Sequence, residues 1–318
     1  MTKDNRINEP IEKKSRGLGL DINPVLLYGL RSQSRTRRMF LILSSYAVLL
    51  GIIVGLVYLG LVFNDHSLLL GVMVTRQLTG KLIFWVVAAI DILAIMVITP
   101  VIMAGAISGE RETDTFDLLK VTSLAMRSII FGKLAAGMAF TVLLVAVSLP
   151  FQSIVFLLGG VSVEEMLISL WVLVITAIMM SATVLFFSSR ASSSGQALAW
   201  SYGSVVFLFI LLPLVMGLIG PLILSMDNAA GSSSYAALID VLIILAGWLV
   251  IAINPLATLL LSAGLWTTHQ TLFVFQYPLR TGGFLPLFSP WVLFSIICIL
   301  LSLLLLWAST HFADKAAG

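Results

Sequence analysis

The chain reads as an all-α, polytopic integral membrane protein, and three observations predict it. Several uninterrupted apolar runs exceed the roughly 18 residues that mark a membrane-crossing helix. The runs do not alternate polar with apolar, so they suit helices rather than barrel strands. Charge is scarce, with 10% Asp, Glu, Lys and Arg against 59% hydrophobic residues and a mean hydropathy of +1.09. The expected architecture is six transmembrane helices with an N-terminal interfacial helix, a charged cytoplasmic helix and a re-entrant hairpin entering from the outer side. Seven spans is the alternative.

Residues 1–22 form a polar tail. Asn23-Pro24 then reads as a helix start, with Asn as the cap and Pro at the first helical position. Over 23–38, Leu26, Leu27 and Leu30 fall on one side and Arg31, Arg35 and Arg38 on another. That pattern suits a helix lying in the membrane interface with its arginines on lipid phosphates. A plain positive flank of the first span is the other reading. Residues 1–38 hold nine Lys and Arg against four acids, which puts the N-terminus in the cytoplasm by the positive-inside rule.

A single transmembrane domain is expected over 39–310. Its spans fall at about 39–63, 82–108, 129–158, 166–187, 197–224 and 289–310. An outer loop is expected over 64–80, a short outer turn at Glu164-Glu165, a polar inner loop at SSRASSSGQ (188–196) and an outer turn at 225–234. Pro213 and Pro221 are expected to kink the fifth span. Residues 235–263 are apolar but contain Asp240 and the break Asn254-Pro255. They form either the outer hairpin or a seventh span. The aromatic stretch WTTHQTLFVFQYPL (266–279) resembles an interfacial belt at the outer surface. Residues 311–318 are a short C-terminal tail.

One segment stands out against this background. GERETDTFDLLK (109–120) carries six charges in twelve positions, far more than a loop between two spans requires. Over 109–128, Phe116, Leu118, Leu119, Val121 and Leu124 are interleaved with charge, which reads as an amphipathic helix flat beneath the membrane. It offers charged and apolar contacts to a cytosolic partner. A solvated inner loop is the competing reading.

The order of these features resembles the ABC-2 type (type 2 exporter) permease family of ATP-binding cassette transporters. The residues carrying the resemblance are NPVLLYGLRSQSRTRR before the first span, Ala104-Gly105-Ala106, Gly109-Glu110-Arg111-Glu112, Phe116-Asp117-Leu118-Leu119, Gly132-Lys133, and INPLATLL (253–260). The chain departs from the family pattern at Thr113-Asp114 and at Ser123. The resemblance implies that 23–38 is an elbow helix and 109–128 a coupling helix. It implies ATPase docking through Glu110, Arg111, Glu112, Asp114, Phe116, Asp117, Leu118 and Leu119. Its further implications are two cytosolic ATPase subunits, a second permease that is identical or paralogous, and a bacterial or archaeal plasma membrane. The substrate would be hydrophobic or amphipathic.

No phosphate-binding loop occurs, because Gly80-Lys81-Leu82 and Gly132-Lys133-Leu134 lack the spacing and the hydroxyl. ATP and Mg are therefore expected on the partner chains, with no cofactor, metal or catalytic residue in this one and no nucleic-acid partner. His66, His269 and His311 have no metal-ligand spacing, and the lone Cys298 cannot form a disulfide within the chain. No HExxH or GxSxG supports a membrane enzyme. A scaffold that recruits an ATPase for envelope work remains the alternative to export. Asp91, midway along the second span, faces either a pathway or interface or a buried structural partner. Gly51 and Gly55 form a small-xxx-small motif, suited to packing within the subunit or against a second one.

Overall fold

The computed structural model describes residues 37–63, 72–113, 126–158, 160–229, 236–269, 272–278 and 283–315. The tail 1–22, the interfacial helix expected up to residue 36 and residues 114–125 of the charged segment lie outside these. The described chain is helical apart from short connections and one β-hairpin, and six of its helices are long and apolar enough to cross a membrane.

Helix α1 spans Arg37–Phe63 and α2 spans Val72–Met103. A 3-10 turn (Ala104–Ala106) and the five-residue α3 (Ser108–Glu112) follow. Next come α4 (Met126–Leu158), α5 (Val163–Arg190) and α6 (Ser194–Val206). A π-helical segment, Phe207–Leu211, joins α6 to α7 (Leu212–Ala229). Then come α8 (Ala236–Ile253), α9 (Pro255–His269), strands β1 (Val274–Pro278) and β2 (Phe284–Phe288), and α10 (Pro290–Lys315).

Several boundaries differ from expectation. The loop expected over 64–80 is helical from Val72. The inner loop expected over 188–196 shrinks to 191–193, because Ser193 Oγ caps α6 by accepting from Gln196 N at 3.2 Å. Helix α7 runs on through Ala229 into the expected outer turn, and α10 runs on to Lys315 into the expected C-terminal tail.

Helix α5 is the axis of the bundle, with 67% of its apolar window buried against 11% for α1 and none for the span through α6 and α7. Ser162 and Glu165 form a full capping box at its start. The start of α5 meets α2 at Lys81, whose Nζ lies 3.2 Å from the Glu165 carboxylate. The two helices end together, where Ser188 Oγ accepts from the Ile107 and Ser108 amides. Helices α5 and α10 share both ends, through the Trp171 indole donating to Ser295 Oγ at 2.9 Å and the Phe186–Phe312 ring contact.

Hydroxyl residues explain how α5 and α10 approach. Ser169, Thr176 and Thr183 on α5, and Ser295, Ser302 and Ser309 on α10, recur every seven positions and are buried. Small residues at a seven-residue repeat let two helices pack along a left-handed seam. Most of these hydroxyls are satisfied within their own helix: Thr176, Thr183, Ser302 and Ser309 each donate to the carbonyl four residues earlier. Apolar clusters fill the remaining contacts, with Ile92, Leu173, Met180 and Phe294 in the middle and Leu50, Phe84, Val87 and Leu144 between α1, α2 and α4.

Residues 236–263 contain a sharp bend. Helices α8 and α9 meet at 112°, at the break predicted from Asn254-Pro255. A bend past a right angle has the shape of a re-entrant hairpin, and the same pair counted as one broken span would make seven spans. Asn254 Oδ1 caps α9 by accepting from Leu256 N at 3.0 Å and Ala257 N at 3.2 Å, with Pro255 at the first helical position.

The stretch expected to be only an aromatic belt becomes partly a strand. Strands β1 and β2 pair antiparallel, with Phe275 opposite Leu287. Trp248 of α8 stacks on Phe275 with ring centroids 6.3 Å apart and donates to the Phe288 carbonyl at 2.8 Å. Trp291 of α10 donates to the Leu272 carbonyl. The two indoles thus fasten both flanks of this hairpin to the bundle.

Candidate functional site

The charged segment is built into one end of the bundle. Helix α2 closes with a 3-10 turn at Ala104–Ala106, and Gly105 and Gly109 let the start of α6 approach. A Cβ on Gly105 would lie 3.3 Å from Ser194 Oγ, and one on Gly109 would lie 3.5 Å from it. Larger residues would push α6 away.

Each charge of Glu110-Arg111-Glu112 reaches a different helix. Glu110 pairs with Lys133 of α4 at 2.6 Å, and Lys133 also donates to the Ala106 carbonyl. The Arg111 guanidinium donates to the Ala191 carbonyl, just past the end of α5, at 3.2 Å. Glu112 accepts from Ser194 N at 3.0 Å and from Ser194 Oγ at 2.5 Å, at the first turn of α6. A carboxylate there also meets the positive end of the helix dipole. Ser188 Oγ completes the joint by accepting from the Ile107 and Ser108 amides at 2.9 and 3.0 Å.

Three of the motif pieces quoted from separate parts of the sequence meet in space. Ala104-Gly105-Ala106, Gly109 to Glu112, and Lys133 form one cluster, and Ala191 and Ser194 join it. Sequence reading took Ser188 and Ser194 for part of a polar loop. The signal available was Ser193 three residues before Gln196, a cap pattern that starts a helix. Of the residues expected to dock an ATPase, Glu110, Arg111 and Glu112 lie in this cluster. Asp114, Phe116, Asp117, Leu118 and Leu119 lie outside the described residues. Helix α3 ends at Glu112 and Thr113 is in a turn, so of the helix expected over 109–128 the described residues hold its first four positions and, from Met126, the start of α4.

Asp91 is fully buried between α1, α2 and α4. Its carboxylate accepts from the Tyr46 hydroxyl, from Ser148 Oγ at 2.8 Å and from Gln152 Nε2 at 3.1 Å. Three donors from two neighbouring helices satisfy a carboxylate well, and in a membrane such a group holds helices together. Of the two readings open from sequence, this geometry is that of buried pairing.

Gly51 is exposed and Gly55 half-buried on α1. A Cβ on Gly51 would meet only the Phe151 ring at 3.7 Å, and one on Gly55 would meet nothing within 4 Å. The motif thus brings no backbone close to another among the described residues. In comparisons with known proteins, the chain matches no family model and no curated protein.

Proposed function

We propose that this chain is the membrane-spanning permease subunit of an ATP-binding cassette transporter of the ABC-2 type. In this reading it moves a hydrophobic or amphipathic substrate outward across a bacterial or archaeal plasma membrane, with its N-terminus in the cytoplasm. ATP and Mg belong to two cytosolic ATPase subunits that dock on residues 109–128, and a second permease, identical or paralogous, completes the transporter.

One observation supports this most directly. Glu110, Arg111 and Glu112 are joined to α4, to the end of α5 and to the start of α6. A push or pull on 109–128 would reach three spans at once, which is what a mechanical input needs. Helix α5, at the centre, would carry the movement along the bundle.

The test is co-purification in mild detergent, with mass spectrometry of the partners. The reversal belongs at Asp114 and Asp117, since reversing Glu110 and Glu112 would break contacts to Lys133 and Ser194 inside this chain. Wild type is expected to bring an ATPase subunit with it, and Asp114→Arg/Asp117→Arg to lose it while remaining monodisperse. Failure to recover an ATPase even after crosslinking would end the proposal. Recovery of a large extracytoplasmic partner together with the ATPase, without substrate-stimulated hydrolysis, would favour the scaffold.

A further inference from the structure

At the end of the bundle away from Glu110, three residues with buried oxygens line one cavity. Ser169 Oγ on α5, Ser262 Oγ on α9 and Glu165 Oε1 at the start of α5 belong to residues only 0%, 6% and 4% exposed. Among the described residues, no protein group hydrogen-bonds to either hydroxyl, and Glu165 Oε1 is met only by the Lys81 ammonium. All three residues line the same cavity, walled by Trp85, Leu259 and Trp266, with a volume of about 10 Å³.

The contrast with other hydroxyls is informative. Thr176, Thr183, Ser201 and Ser302 turn back to the carbonyl four residues earlier. Ser169 and Ser262 do not, although each sits in a helix that offers such a carbonyl. A buried polar group left without a partner is costly, so two such hydroxyls on residues that line one cavity point to an occupant.

We propose that this cavity is a binding site for one ordered water molecule, bridging Ser169, Ser262 and Glu165. Its volume is that of one water, and three polar partners are the usual number for a buried one. The charge balance selects a neutral occupant: Glu165 Oε1 already lies 3.2 Å from Lys81 Nζ, so the site has no net negative charge to attract a cation. Water can donate to the carboxylate while exchanging hydrogen bonds with both hydroxyls. It thereby ties α9, the second leg of the bent pair, to α5 and through the ion pair to α2. The site does not depend on the transport reading.

The experiment is a structure of the full chain in lipid nanodiscs at a resolution that shows ordered water. Density is expected at about 2.7–3.2 Å from all three oxygens. It should persist in Glu165→Gln, which keeps the oxygen, and vanish in Ser262→Val, which fills the space. An empty cavity overturns the proposal. So does density at about 2.3–2.6 Å that is lost in Glu165→Gln, which would mark a bound cation instead. A second readout is hydrogen exchange over 258–266. Ser169→Ala/Ser262→Ala should speed it several-fold, whereas Ser181→Ala, which removes a buried hydroxyl outside the cavity, should not. Equal effects of the two would also overturn the bridge.

Discussion

The side-chain amide of Asn254 donates to the carbonyl of Phe209, 3.1 Å away, and so ties the break between α8 and α9 to the π-helical segment that precedes Pro213. Pro213, four residues after Phe209, has no N–H to give. The helix opens into its π-helical segment at Phe207–Leu211. One asparagine therefore caps α9 and ties it to the fifth span.

Substituting Asn254 separates these two roles. Asn254→Ser keeps a capping oxygen but loses the reach to Phe209, and should cost about 1–2 kcal/mol. Asn254→Ala should cost roughly 1 kcal/mol more through loss of the cap. In a Pro213→Ala background the cost of Asn254→Ser should fall by about 1 kcal/mol, because a backbone donor returns. Thermal unfolding in detergent measures all four states, and strict additivity would sink the link.

Asp91 should tolerate loss of charge better than loss of polarity. Asp91→Asn keeps an acceptor for Tyr46, Ser148 or Gln152 and should fold and assemble normally. Asp91→Leu strands buried donors and should cost about 3 kcal/mol, read as a lower unfolding midpoint. If Asp91→Asn abolished activity while its unfolding midpoint and assembly stayed unchanged, the carboxylate would have a charge-dependent role beyond holding helices.

The Glu110–Lys133 pair is partly buried, with side-chain exposures of 30% and 14%. Its rupture should fall between the surface and buried cases, at about 2 kcal/mol. Glu110→Lys should lower the folded yield, and Glu110→Lys/Lys133→Glu should recover part of it. Recovery is expected to be incomplete, since Lys133 also donates to the Ala106 carbonyl. No recovery at all would mean that the two charges do not act on each other.

Gly137 of α4 sits against the Met103 side chain at the end of α2. A Cβ there would overlap the Met103 thioether, which must then move aside. Gly137→Ala should cost about 1–3 kcal/mol through overpacking. Met103→Ala should relieve most of that added cost, despite the cavity it leaves. A neutral Gly137→Ala in a thermal scan would show that the Met103 side chain moves aside without cost.

The spans were legible because each is set by a local quantity, the length of an uninterrupted apolar run. The break at Asn254-Pro255 was legible for the same kind of reason, since proline there cannot continue α8. The β-hairpin was not. Its pentads, Val274–Pro278 and Phe284–Phe288, are short aromatic and apolar runs, and from sequence they read equally well as an interfacial belt. Gly282-Gly283 between them was the available turn signal. What decides for strands is Trp248, twenty-six residues before β1 begins, which stacks on one strand and donates to the other.

Sequence alone determined that this is a multi-pass helical membrane protein and that a charged segment follows the second long helix, because hydropathy and charge are summed along the chain. Only the tertiary structure decided what that charge touches. Glu110, Arg111 and Glu112 are consecutive in sequence but reach three separate helices. Asp91 finds Tyr46, Ser148 and Gln152 across more than forty residues of chain. Partners so far apart are chosen by which helix faces pack together. In a bilayer, lipid is as apolar as the helices themselves, so small residues and hydrogen bonds, rather than hydropathy, make that choice.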